Sequence, residues 1–111
     1  MADTIIDAAT FAELQEAAGA EFVAELVATF LEEAPRMLSE LRDAQRAGEA
    51  ERFRRAAHSL KSNGATFGAS RLAAMARELE QGGPVADTAS LDAIEAEQLR
   101  VATALRELCD G

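Results

Sequence analysis

Apolar side chains recur at three- and four-residue spacing through nearly the whole chain, and only glycine and proline interrupt them, at Gly19, Gly48, Gly68 and Gly82-Gly83-Pro84. That period belongs to helices with one buried face, and no segment alternates with the two-residue period of a half-buried strand. The punctuation therefore predicts five helices. Thr10 and Glu13 have the spacing of a capping box at the start of a short first helix that Gly19 ends. A long second helix is expected from about Glu21 to Ala47, with Phe22, Leu26, Val27, Phe30, Leu31, Ala34, Leu38 and Leu41 on its apolar stripe. Pro35 falls inside that pattern and, lacking an amide donor, should kink or loosen the helix. The third helix is expected over about Glu49 to Thr66, with Gly68 capping its end. The fourth should run from about Ala69 to Gln81, with Leu72, Met75, Ala76 and Leu79 inward. The fifth should run from Asp87 or Thr88 to Leu108, with Leu91, Ile94, Gln98, Val101, Leu105 and Leu108 in its stripe.

Four long helices with short connections favour an all-α fold: an antiparallel up-and-down four-helix bundle, with the short additional N-terminal helix across one end. A chain of 111 residues that is 49% apolar has enough material for one modest core, so residues 1–111 are expected to form a single domain. Cys109, the one cysteine, rules out an intramolecular disulfide and suits a reducing compartment. Met1-Ala2-Asp3-Thr4 lacks the basic start of a secretory signal, and no apolar run approaches the roughly 20 residues of a membrane span. A cytoplasmic monomer without membrane insertion is expected.

The third helix holds the chain's only histidine. At roughly 100° per residue, Phe53, Ala57, Leu60, Gly64 and Phe67 form one stripe, and His58 points roughly 140° away from its centre. The stripe packs and the imidazole faces solvent. Glu51, Arg54, Arg55, Lys61, Ser62 and Ala65 share its sector, since positions three and four apart are surface neighbours. Arg52, Arg54, Arg55, Lys61, Arg71 and Arg77 form a basic run without an intervening acid, inside a chain of net charge −9. Such an island attracts anionic groups locally, while the overall charge disfavours nucleic acid and anionic membranes. Gly64 stands on the buried stripe at a cost of about 1 kcal/mol relative to alanine. Close approach of another helix would offset that cost; the alternative is that the helix ends near Ser62.

Motifs for independent catalysis are missing. There is no glycine-rich nucleotide loop, and one histidine and one cysteine do not make a zinc site. Paired Glu-x-x-His motifs for a di-iron bundle cannot be built. Ser59 and Ser62 lie on the histidine's own helix, without the elbow or oxyanion turn of a hydrolase.

At His58-Ser59-Leu60-Lys61-Ser62 and Phe67-Gly68-Ala69 the chain resembles the histidine-containing phosphotransfer (HPt) domains of multistep phosphorelays, whose signature is His-x-Leu-Lys-Gly followed by small residues and a Leu- or Phe-Gly-Ala junction. Phe53 to His58, Leu72 to Glu80 and the five-helix pattern extend the resemblance over roughly the whole chain. Ser62 replaces the family's usual glycine with another small residue. Glu80 stands where some members carry a glutamine that steadies the imidazole; an acid there could accept from the ring N–H or point elsewhere.

The resemblance implies a phosphocarrier that is not itself an enzyme. His58 would take a phosphoryl group from a receiver-domain aspartate and pass it to another. Lys61 would offset phosphoryl charge, and Arg54 and Arg55 would contribute less. Ser62 could donate to a phosphoryl oxygen, while Gly64 and Gly68 would pack the site helix. The implied partners are response-regulator receiver domains and a hybrid or sensor histidine kinase. No cofactor is expected on this chain, because the receiver supplies the divalent metal. Two other readings share the fold: a receiver-binding module that is never phosphorylated, and the phosphoacceptor domain of a chemotaxis-type histidine kinase.

Overall fold

A computed structural model of the chain describes residues 5–85 and 87–110, with the side chains of 85 and 110 excepted. The reading of Met1 to Thr4 lies outside the described residues. Helix α1 spans Ala8–Ala18, α2 Ala20–Ala47, α3 Ala50–Phe67, α4 Ser70–Gly82 and α5 Thr88–Asp110, with a 3₁₀ turn at Gly83–Val85 between the last two. No strand occurs among the described residues. The four longer helices form the bundle, and α5 packs on α2 and α4, diagonally across from α3. Helix α1 rests on α2 and on the end of α3. No helix among the described residues is long and apolar enough to cross a membrane.

The core is a continuous apolar cluster from all five helices. On α2, Val23, Val27, Phe30, Ala34, Leu38, Leu41 and Ala44 are buried at helical spacing. They face Phe53, Ala56, Ala57, Leu60 and Phe67 of α3. The Phe30 and Phe67 rings stack with centroids 5.5 Å apart. Each buried phenylalanine contributes about 1.5–3 kcal/mol by leaving water, so this pair fixes the α2–α3 register near the Gly68 end.

Several expectations are corrected. Helix α1 begins at Ala8, a turn before the expected capping box, and Asp7 is its N-cap. Thr10 instead donates its hydroxyl to Asp7 Oδ2 at 2.5 Å. Ala8 and Ala9 are good helix formers that carry the helix back to an acidic cap. Phe22 is 53% exposed, while its neighbour Val23 is fully buried. Packing on α2 starts one residue, and so about 100°, away from the expected stripe. Leu108 is also exposed, since the buried side of α5 ends at Leu105. The basic run is less free than its sequence suggests: Arg52 pairs with Glu40 and Glu49, Lys61 with Glu80, and Arg71 approaches Glu97. These acids come from other helices or from the α2–α3 turn.

Candidate functional site

The corner between α3 and α4 sets the site. Gly68 has φ 82° and ψ 17°, the left-handed conformation that glycine adopts without strain. Its N–H donates to Ala65 O at 3.2 Å, and the Ala69 N–H to Gly64 O at 2.7 Å. This is a Schellman closure of α3. The corner is held from outside as well, because the Asp7 N–H donates to Gly68 O at 2.8 Å. A side chain at Gly68 would collide there, with an added Cβ 3.0 Å from Asp7 O and 3.1 Å from Thr10 Cβ.

Beyond the corner, α4 returns close along α3. Gly64 is inside α3 and buried, and an added Cβ would lie 3.2 Å from the Ala73 backbone nitrogen. Close helix approach is therefore the reason for the glycine, and α3 does not end early at Ser62. Antiparallel packing at Gly64 and Ala73 fixes what stands opposite what. Six residues back from Gly64 is His58, and seven on from Ala73 is Glu80.

His58 Nδ1 lies 3.1 Å from Glu80 Oε2, and Lys61 Nζ lies 2.7 Å from Glu80 Oε1. One carboxylate thus holds the imidazole with one oxygen and the ammonium with the other. Lys61, and to a smaller extent His58, keep the Glu80 carboxyl below its ordinary value of 4.5 against partial desolvation. Ionised Glu80 can only accept, so His58 Nδ1 donates and carries the ring proton. In the neutral ring the lone pair is then on Nε2. The His58 side chain is 58% exposed, against 32% for Lys61 and 25% for Glu80, so the imidazole is presented to solvent by a partly covered support.

Ser62, one turn on, places its Oγ 3.5 Å from Nε2, too long for a strong hydrogen bond but close to where a group on Nε2 would sit. Arg54 and Arg55 are exposed and form no ion pair among the described residues. Arg55 faces a cleft toward α2, together with Arg36 and Met37. Those two residues were not singled out from the sequence, since nothing in the spacing of α2 shows which of its residues will share a cleft with α3. The pairing of Lys61 with Glu80 was also missed, because it spans two helices. No group of three or more metal-ligating side chains occurs among the described residues.

A phosphoryl acceptor needs an exposed nitrogen lone pair, a fixed tautomer and a nearby cation, and these residues provide all three. The comparisons agree with that chemistry. The family model described as Hpt domain matches residues 25–110. The chain is similar to histidine-containing phosphotransfer protein B (HptB) from Pseudomonas aeruginosa PAO1, known from a crystal structure, with 27% identity and a TM-score of 0.87 over 98% of this chain and 97% of that one. No curated protein matches the chain.

Proposed function

The chain belongs to the Hpt domain family of histidine phosphotransfer modules, and from that membership we propose that His58 Nε2 is the phosphoacceptor of a phosphorelay, loaded by one receiver domain and emptied by another. In the forward step the Nε2 lone pair attacks the phosphorus of an aspartyl phosphate in line with the leaving oxygen. The N–P bond forms, the P–O bond breaks and the aspartate carboxylate departs. Positive charge develops on the ring as Nε2 gives up its lone pair, and the Glu80 carboxylate at Nδ1 is placed to stabilise it. Lys61, one turn from His58, can turn part of its charge toward the phosphoryl oxygens. The receiver supplies the divalent metal, and a histidine kinase stands upstream. The chain acts as a monomeric cytoplasmic carrier.

The observation that carries this reading is the 3.1 Å contact between His58 Nδ1 and Glu80, which in the neutral ring assigns the proton to Nδ1 and the lone pair to the exposed Nε2. Incubation with phosphorylated receiver domains should label His58 alone, with the acid-labile, alkali-stable behaviour of a phosphoramidate. His58→Gln should remove all label and leave the melting transition nearly unchanged, because an exposed ring contributes little packing. Label persisting on the variant would overturn the assignment.

A further inference from the structure

His58 has two flanks. Glu80 and Lys61 occupy the side toward α4. On the side toward α2 lies a cleft of about 170 Å³, walled by Arg36, Met37 and Glu40 of α2 and by Arg52, Arg55 and Ala56 of α3. Ser59, next in the chain to His58, lines it too. Arg55 is three residues before His58, less than one turn of roughly 5 Å along the helix. A partner that brings an aspartyl phosphate to Nε2 must therefore cover this cleft.

Its charges are unevenly balanced. Arg52 is engaged by Glu40 at 2.5 Å and Glu49 at 2.8 Å. Glu40, the only acid in the wall, is thereby committed. Arg36 and Arg55 are exposed and form no ion pair among the described residues. Arg55 acts on Glu40 only at a distance, helping to lower its carboxyl, so two guanidinium groups without a direct partner line this cleft, in a chain whose net charge is −9. An acidic group is attracted here and repelled by most of the remaining surface, which orients a partner before contact. Guanidinium forks also match carboxylates in planar, two-bond geometry. The cleft is smaller than the roughly 300–1,000 Å³ of a small-molecule pocket and suits one or two inserted side chains.

Building on the phosphocarrier reading, we infer that the α2–α3 cleft reads a carboxylate on the receiver: an Asp or Glu side chain engages Arg36 and Arg55 while an adjacent apolar side chain rests on Met37 and Ala56. The contact selects among receivers and speeds encounter, leaving the chemistry to the other flank of His58.

The test titrates the fluorescently labelled full chain with a panel of purified, unphosphorylated receiver domains at low and high salt. The receivers that bind the unaltered chain most tightly should lose about tenfold or more in affinity to the R36E/R55E variant at low salt, and most of their salt dependence. Arg106→Glu changes a charge on α5, across the bundle, and should alter affinity less than about twofold. R36Q/R55Q, with circular dichroism on each variant, should give an intermediate loss in a folded protein. Unchanged binding by R36E/R55E overturns the inference, as does an equal loss from Arg106→Glu, which would show only the effect of overall charge. Phosphoramidate, a small phosphodonor that needs no docking, tests His58 separately. If neither phosphoramidate nor phosphorylated receivers label the unaltered chain while the Arg36- and Arg55-dependent binding persists, the carrier reading fails and the docking site stands.

Discussion

Gly64 leaves room for the backbone of Ala73: a Cβ in its place would stand 3.2 Å from the Ala73 nitrogen, so α3 and α4 meet there main chain to main chain. Backbone cannot rotate aside as a flexible side chain can. Gly64→Val should therefore destabilise the fold by about 1–3 kcal/mol through overpacking, an effect visible as a fall of several degrees in thermal denaturation. The same variant should slow phosphoryl transfer, since separating the helices here also separates His58 from Glu80. A melting temperature equal to that of the unaltered chain would show that α4 can shift without loss.

Glu80 and Lys61 share one salt bridge, and their substitutions should not be additive. Glu80→Ala removes the acceptor at Nδ1 and should slow transfer about tenfold, equivalent to about 1.4 kcal/mol in the transition state. Glu80→Gln keeps a carbonyl oxygen for the ring and should lose less. Lys61→Met should slow transfer by a similar factor of about ten. The double variant should cost less than the product of the two single losses, because each substitution already breaks the shared contact. Rapid-quench transfer kinetics across the four proteins measure the coupling, and strictly multiplicative losses would mean that the two side chains act independently.

Acid should weaken the protein partly through Glu80. Its folded-state pKa is depressed, chiefly by Lys61, below the ordinary 4.5. A depressed carboxyl favours folding above its unfolded pKa, and that contribution is lost as pH falls through the lower folded value. Glu40, lowered chiefly by Arg52, and Asp87, lowered by the Ser90 amide, act in the same direction. Urea midpoints measured from about pH 6 to about pH 3 should fall for the unaltered chain and fall less steeply for Glu80→Gln. Parallel curves would remove Glu80 from the acid response.

At Ser62, size should matter more than the hydroxyl, which reaches Nε2 only at 3.5 Å. Ser62→Gly should retain transfer while lowering stability by up to about 1 kcal/mol. Ser62→Phe should fold but block the receiver. Equal loss of transfer in both variants would give the hydroxyl a direct role.

The limits of the helices were legible because glycines mark them: Gly48 and Gly68 cap α2 and α3, both left-handed. The outward direction of His58 followed from the same periodicity. What escaped was set by neighbours. Phe22 satisfies the helical period but lies off the face that packs, and Leu108 lies beyond the last buried turn of α5. Glu97 is 1% exposed and accepts from Arg100 at 2.9 Å, a charged residue that its polarity alone would have placed at the surface. The basic run from Arg52 to Arg77 was visible, but its partial neutralisation by Glu40, Glu80 and Glu97 depends on which helices lie side by side. Glu80 was read as either holding the ring or pointing elsewhere, and only the Gly64 to Ala73 register decides between them.

The bond from Asp7 to Gly68 gives the N-terminal helix a mechanical bearing on the imidazole. Ten residues of α3 separate the corner from His58, a lever arm of about 15 Å, and twelve of α4 separate it from Glu80, about 18 Å. Opening the angle between those arms by about 4° would part their far ends by about 1 Å, enough to break a hydrogen bond of ordinary length. Helix α1 braces that joint from outside. A fusion ahead of Asp7, or a protein gripping α1, would load an elbow rather than a loose end. The strain would emerge about three helical turns away, as a weakened hold of Glu80 on the ring of His58.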